Sequence, residues 1–150
     1  MFNTHQCERI GVFEIKESCK SIAVTKDSKY LIAAPTTKGI YVYSVSDGKL
    51  LKTVKVQCSF TKHVAMSYSD KQVLVIFEDK KINYIRIYEF ADIMKENNEN
   101  ARYTEIVSSD SDIAYTDCVW GPLDKTLYIS TNRGKILVYN VEKKKFENEA

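Results

Sequence analysis

The chain has 150 residues, of which 44% are hydrophobic and 28% are charged, and its formal net charge is +2. This balance predicts one globular domain and excludes a disordered chain. The apolar runs are far shorter than the ~20 residues that cross a bilayer, and basic residues alternate with acidic ones. Neither a membrane protein nor a strongly basic nucleic-acid-binding face is therefore expected.

The cysteines predict a reducing compartment. They are widely spaced, form no Cys-x-x-Cys pair and are accompanied by only two histidines, a pattern unlike a zinc site. A domain of this length is stable without a disulfide or a metal, and residues 1–9 lack the apolar run of a signal peptide. We therefore expect buried, reduced thiols, no cofactor and a chain of the cytosol or the nucleus. The cysteines are Cys7, Cys19, Cys58 and Cys118.

A group of short strands repeats along the chain. Residues 1–16 are expected to hold one strand of a preceding group, and residues 22–32 then read as an apolar strand, a polar hairpin and a second apolar strand. The pattern returns 42 residues later from Val64, and again from Cys118, which predicts an all-β repeat architecture. The hairpins match at Ser28-Lys29, Asp70-Lys71 and Asp124-Lys125. The expected groups are residues 17–56, 60–107 and 113–150.

The third strand of each group is the most regular one, with apolar residues in its first and third places and a tyrosine in its fourth. A period of two puts the first and third places on one face of a sheet, where they suit packing against a neighbouring sheet. A turn sequence at residues 46–49 and a fourth strand at about residues 50–56 complete the first group. The third strands are residues 40–44, 85–89 and 136–140.

One polar insertion makes the spacing of the groups unequal. Tyr43 and Tyr88 are 45 residues apart, whereas Tyr88 and Tyr139 are 51 residues apart. The excess falls between Asp92 and Arg102, beside the one stretch with helical periodicity. We interpret this segment as an insertion at a corner of the sheet. It is either a binding loop or an idle one, and the sequence favours the idle one.

Each group of short strands resembles the WD-repeat blade, which has four strands, the third of which ends in an aromatic residue followed by a small or polar residue. Tyrosine stands where that blade has tryptophan. The resemblance implies an all-β, WD40-type β-propeller, here an incomplete one with about three four-stranded antiparallel blades. Each blade packs between two neighbours, so two apolar faces are expected to be open. The positions that carry the blade pattern are expected to be structural: Tyr43, Ser44, Tyr88, Glu89, Trp120, Gly121, Pro122, Tyr139 and Asn140.

One stretch is similar to a narrower family. The run Val-Trp-Gly-Pro-Leu at residues 119–123, followed by a glycine turn at Gly134, resembles the i subunit family of translation initiation factor 3, whose members are WD-repeat proteins. The resemblance covers roughly residues 8–146, from the second to the fourth blade. It implies a non-catalytic scaffold that binds the b and g types of subunit and supports assembly on the 40S ribosomal subunit indirectly. We expect a piece of a longer chain, or a partner that supplies the missing blades.

Other functions remain open from the residues alone. An adaptor in signalling or RNA processing fits the same fold. Direct RNA binding by the lysines at 80–81 and 143–145 is not predicted. Acidic residues flank the second run, and no arginine-rich groove accompanies the lysines. An enzyme would need a pocket that joins Cys58 with His63, and we do not predict one.

Several side chains carry two interpretations each. Trp120 is either a core anchor or an interface hot spot. Arg86 pairs either with a partner's carboxylate or with Glu78 or Asp79. The acidic residues 110, 112 and 117 form either a solvated turn or a carboxylate or metal site. The sequence favours the core, the pairing within the chain and the solvated turn.

Overall fold

The computed structural model describes residues 2–3, 8–9, 11–36, 39–108 and 111–147. Within these ranges the chain is almost entirely β-structure, with one short helix, α1 (Phe90–Ile93), and one 3₁₀ turn, Pro122–Asp124. The strands are β1 Phe2–Asn3, β2 Glu8–Arg9, β3 Cys19–Val24, β4 Tyr30–Pro35, β5 Ile40–Ser44, β6 Leu50–Val54, β7 Phe60–Met66, β8 Gln72–Asp79, β9 Ile82–Glu89, β10 Tyr103–Val107, β11 Tyr115–Trp120, β12 Thr126–Thr131, β13 Ile136–Asn140 and β14 Lys145–Phe146.

The strands form three antiparallel four-stranded sheets in which consecutive strands pair. The first sheet is β3 to β6, the second is β7 to β10 and the third is β11 to β14, while β1 pairs with β2 apart from them. The first strands lie side by side, β3 against β7 and β7 against β11, so the sheets radiate from them as blades. The predicted set of three four-stranded antiparallel blades is confirmed. The last residues of the expected third group, 148–150, lie outside the described residues.

The first and second sheets pack face to face around one hydrophobic core. Ile40 and Val42 of β5 point toward the second sheet and are fully buried. Phe77 of β8 and Tyr88 of β9 enter the same core from the other side. Burying each such side chain contributes roughly 1.5–3 kcal/mol, so this contact holds the two blades together.

The second and third sheets enclose a second core in the same way. Ile85 and Ile87 of β9 point forward to the third sheet, and Trp120 and Tyr139 point back to the second. Trp120 is 5% exposed, so it is a core residue. In the first two third strands, therefore, the apolar residues in the first and third places face the following sheet, and in the last two the tyrosine in the fourth place faces the preceding one.

The third sheet presents its other face to solvent. Ile136 stands in the same place of its strand as Ile85 but is 63% exposed. Val119 and Tyr128, which are opposite each other on β11 and β12, share this face and are 57% and 43% exposed. This is one of the two open apolar faces that the sequence predicts.

The outward face of the first sheet is covered over its second and third strands, contrary to expectation, whereas the side chains of β3 on that face stay exposed. Residues 11–17, which form no strand, cross it, and Phe13 and Ile15 pack against Leu31 and Tyr43. The rings of Phe13 and Tyr43 meet edge to face with their centres 5.8 Å apart. The face is covered because the segment before β3 folds back over it.

The insertion after β9 belongs to the first core. Ile93 of α1 is fully buried between the first two sheets. The ring of Phe90 lies 5.6 Å from that of Tyr30 in the first sheet. The Nδ2 of Asn98 donates a hydrogen bond to the carbonyl oxygen of Thr53 on β6 at 3.1 Å. The insertion therefore straps the second blade to the outer strand of the first, and its interpretation as idle, that is, without a partner to bind, stays a prediction.

Asp92 fastens this strap with two ion pairs. Its carboxylate oxygens lie 2.8 Å from Nζ of Lys95 and 3.0 Å from Nε of Arg102. The hydrogen bonds from Lys95 and then from Arg102 lower the pKa of the Asp92 carboxyl from 3.8 to about 2. The folded chain therefore favours the charged form of Asp92.

We expect Asp92→Asn to loosen the strap at neutral pH. The wild-type carboxylate has a lower pKa in the folded chain than in the unfolded one. Its contribution is therefore complete above 3.8 and is lost as the pH falls toward 2. The difference in free energy of unfolding between wild type and variant, measured by urea denaturation from roughly pH 6 to pH 2.5, should shrink as the pH falls. A difference that stays constant over this range would contradict the assignment.

The thiols are only partly as predicted. Cys118 is buried, and burial raises the pKa of its thiol to about 12. Cys58 is half-buried, whereas Cys19 is exposed because it stands at the first residue of β3, beside an irregularity in the strand. The expectation of a buried thiol is wrong for Cys19, and Cys7 lies outside the described residues.

Candidate functional site

The three first strands carry the same irregularity at the same place. Each has a β-bulge in its pairing with the second strand, directly before Ser21 in β3, His63 in β7 and Asp117 in β11. A bulge redirects the side chains that follow it. Because the first strands lie side by side, the three redirected side chains meet in a row that crosses all three blades.

Polar contacts at hydrogen-bond distance connect the three residues of the row. Ser21 Oγ lies 3.2 Å from His63 Nδ1, and His63 Nε2 lies 3.2 Å from Asp117 Oδ1. The backbone N–H of Val64 donates to Ser21 Oγ at 3.1 Å. With the imidazole proton on Nε2, Ser21 donates to Nδ1 and His63 donates to Asp117, so every group in the row has a matching partner.

These three residue types also make up catalytic triads, but this row is arranged to join blades. Ser21 lies within a strand, it already accepts the Val64 N–H, and it faces Nδ1 of the imidazole instead of Nε2. In serine hydrolases the serine lies on Nε2 and Nδ1 is held by the carboxylate. The row therefore supports a structural contact between the first, second and third blades.

The pairing of Cys58 with His63 that an enzyme would need is not formed. His63 is engaged by Ser21 and Asp117. Burial raises the pKa of the Cys58 thiol, and the nearby Asp79 raises it further. Because the thiolate is the nucleophilic form, this environment makes Cys58 less reactive.

The acidic residues before and within β11 do not converge. Asp112 pairs with Arg133 at 3.5 Å, and Asp117 pairs with His63. Asp110 lies outside the described residues. Within the described ranges, no three His, Cys, Asp or Glu side chains are grouped closely enough to hold a metal ion.

Arg86 is held inside the second blade. Its Nε lies 2.7 Å from a carboxylate oxygen of Glu105 on β10, and its guanidinium lies 4.3 Å from the ring centre of Tyr103. The predicted pairing with Glu78 or Asp79 is wrong, and the carboxylate that Arg86 binds comes from its own blade. The reason is the register of β9 and β10, which places Arg86 directly opposite Glu105.

The polar residues in the blade pattern bind a turn or a neighbouring strand of their own blade. Asn140 accepts a hydrogen bond from the Lys143 N–H at 2.8 Å, and Glu89 accepts one from Gln72 Nε2 at 3.1 Å. Ser44 Oγ lies 3.1 Å from Ser46 Oγ. Each of these positions acts within its own blade, so the pattern residues do not meet in one pocket.

A cavity of about 310 Å³ opens beside the first strands, at the end where they turn into the second strands. Its walls are mainly apolar and include Val24, Met66 and Trp120. The charged residues Lys26 and Asp70 also line it. The indole N–H of Trp120 is buried without a hydrogen-bond partner among the described residues. The cavity has the size and polarity to accept a side chain of another protein.

The sequence held a signal for the row of Ser21, His63 and Asp117 that was not used. Each residue stands seven positions before the matching residue of the hairpin, which is Ser28, Asp70 or Asp124. An alignment of the three copies in register would therefore have put the row in one column.

Among the described residues, no helix has the length and apolarity needed to cross a membrane.

The architecture defines the class of protein. Three antiparallel four-stranded meanders that radiate from adjacent first strands are blades of a WD-repeat β-propeller. The β-propeller domain of Myceliophteria thermophila Cps50 (Swd1) superposes on 99% of this chain and 48% of its own, with a TM-score of 0.74 and 12% identity. The WD40 repeats of RRP9, and equally the structure of U3-55K, cover 90% of this chain and 39% of their own, with a TM-score of 0.69 and 17% identity. The chain has the WD40-type β-propeller fold, and the predicted fold class is confirmed.

The sequence is similar to that of eukaryotic translation initiation factor 3 subunit I of Dictyostelium discoideum. The identity is 33% over 144 residues, which is 96% of this chain. The chain spans 43% of that protein's length. The predicted resemblance to the i subunit family is confirmed. No protein-family model matches the chain.

Proposed function

We propose that the chain is part of a non-catalytic scaffold subunit of translation initiation factor 3. The observation that carries the proposal is the 33% identity to subunit I over 96% of the chain. The solved propellers that share the fold are 12% and 17% identical to it. The sequence identity to subunit I is thus higher than the propeller fold alone requires. This higher identity is the argument for a shared role.

A scaffold of this kind works by docking other proteins on a rigid body. Among the described residues, the outer strands of the blades have one edge without a sheet neighbour, to which an extended segment can add main-chain hydrogen bonds, although the insertion already binds the carbonyl oxygen of Thr53 on β6. Apolar side chains flank these edges. Leu50 and Leu51 of β6 are 49% and 41% exposed, and Tyr103 and Val107 of β10 are 49% and 47% exposed. These edges supply both the polar and the apolar contacts that a partner segment needs.

The proposed partners are the b and g types of initiation factor 3 subunit, and through them, indirectly, the 40S ribosomal subunit. The proposed place of action is the cytoplasm. Direct contact with RNA is not part of the proposal. The lysines at 143–145 are exposed next to Glu142 and Glu147, so the phosphate-binding charge of that turn is small.

The test is recovery of subunits on the tagged chain. We expect the chain to retain the b and g types of subunit from a lysate of Dictyostelium discoideum, the organism of its relative. The Cps50 propeller domain is the matched control, because it shares the fold at 12% identity and removes proteins that bind any propeller. Equal recovery on both would contradict the proposal. Recovery of signalling or RNA-processing proteins in place of these subunits would favour the adaptor alternative.

A further inference from the structure

The turns between the first and second strands of the three blades share one backbone feature. Each has a residue in the left-handed conformation at the same place: Ser28 with φ 60°, Asp70 with φ 58° and Asp124 with φ 57°. Aspartate tolerates this conformation better than most residues with a side chain. In the second and third blades, the left-handed residue is an aspartate that contacts the turn of the preceding blade.

Asp124 of the third blade binds the turn of the second. Its Oδ1 accepts a hydrogen bond from the Tyr68 N–H at 2.7 Å. Its Oδ2 accepts one from the Ser69 N–H at 3.1 Å and one from Ser69 Oγ at 2.5 Å. Partial burial alone would raise the pKa of Asp124, but the hydrogen bonds from Ser69 and Tyr68 outweigh it and hold the pKa below its ordinary value.

Asp70 repeats this contact on the turn of the first blade. Its Oδ2 accepts a hydrogen bond from the Lys26 N–H at 2.7 Å. Lys26 and Tyr68 occupy the same place, two residues before the left-handed residue of their turns. The Lys26 ammonium also donates to the carbonyl oxygen of Tyr68 and lies 5.0 Å from the centre of its ring.

The two contacts differ in strength. Asp124 accepts three hydrogen bonds and Asp70 accepts one from the preceding turn. Bonds to a carboxylate are shorter and stronger than those between neutral groups. Pro122 stands at the place of Lys26 and Tyr68 in the third turn and has no N–H to offer.

We propose that Asp70 and Asp124 form a directional latch between blades, in which each blade grips the turn before it and the grip of Asp124 on the second turn is stronger than that of Asp70 on the first. The latch is independent of the function proposed above, since it depends only on contacts within the chain.

Amide hydrogen exchange of the whole chain, read residue by residue, tests the latch. Asp124→Gly keeps a left-handed turn and removes the carboxylate. We expect it to raise the exchange rates at Tyr68 and Ser69 by roughly tenfold or more, since each lost bond to a charged group exposes its amide. The rate at Lys26 should change little. Asp70→Gly should raise the exchange rate at Lys26 and change the rates at Tyr68 and Ser69 little. In the wild type, Lys26 should exchange faster than Tyr68 after correction for intrinsic rates.

Two matched controls separate the latch from general loosening. Ser28→Gly alters the same left-handed position in the first turn, and Asp27→Gly removes a carboxylate that caps Lys29 within its own turn. Neither should raise exchange at Tyr68 and Ser69. If Asp124→Gly does not fold, Asp124→Asn, which keeps one acceptor oxygen, should give a smaller rise at the same two amides. Unchanged exchange at Tyr68 and Ser69, or an equal rise in a control, would overturn the proposal.

Discussion

Replacing Ile85 by alanine is expected to lower the free energy of unfolding by about 3 kcal/mol, the range found for large-to-small changes in a packed core. Ile85 is fully buried between the second and third sheets, where it packs with Leu74, Ile106 and Trp120. Alanine would remove three carbon atoms and leave a cavity that two rigid sheets cannot close. The change should be visible as a lower midpoint in urea denaturation with an unchanged slope.

Ile136→Ala is the matched control for this prediction. Ile136 has the same place in the third strand of its blade but is 63% exposed. Its replacement should cost less than about 0.5–1 kcal/mol, because little packing is lost at an exposed position. Equal losses for the two variants would mean that the third strands do not pack forward on the following blade, and the blade arrangement would be wrong.

Gly39→Ala is expected to cost more than about 3 kcal/mol or to prevent folding, since it combines strain with a collision against backbone. Gly39 has φ +96°, a conformation that residues with a side chain rarely adopt. A Cβ atom there would lie 2.2 Å from the carbonyl oxygen of Val54 and 2.8 Å from the backbone nitrogen of Val56. Both atoms belong to the chain at the end of the fourth strand, so the first blade would have to distort.

Gly134→Ala separates the strain from the collision. Gly134 also has a positive φ, +71°, but no atom lies within 4 Å of a Cβ built there. Only the cost of the left-handed conformation remains, about 1–2 kcal/mol. Thermal unfolding of both variants gives the comparison, with yield of folded protein as a second measure for Gly39→Ala. A loss at Gly39 no larger than that at Gly134 would contradict the close approach to β6.

The blades themselves could be predicted because their signals are local. Alternation in residues 40–44, 85–89 and 136–140 assigns each side chain to a face of its sheet, and the structure has these faces as expected for the first two strands. The third strand has the same pattern, and Ile136 is exposed because its face points away from the second sheet. The resemblance to a WD-repeat family came from the same repeated positions.

The contacts between blades could not be predicted from local patterns. Ser21 and His63 are 42 residues apart, and Asp124 reaches Tyr68 across 56 residues. Which side chains meet over such distances depends on the bulges in the first strands and on how the blades radiate. The partner of Arg86 likewise depends on the register of β9 and β10, which the insertion between them leaves undetermined.

The amino-acid sequence by itself determined that this protein is a series of four-stranded antiparallel units with assigned inner and outer faces, because strand alternation and turn residues act over a few neighbouring positions. Only the tertiary structure decided that residues 11–17 cover the first sheet, that the insertion after β9 straps two blades together, and that three polar side chains form a row across the first strands. These features depend on which surfaces are left uncovered once the sheets have packed, and that is a property of the whole assembly of blades.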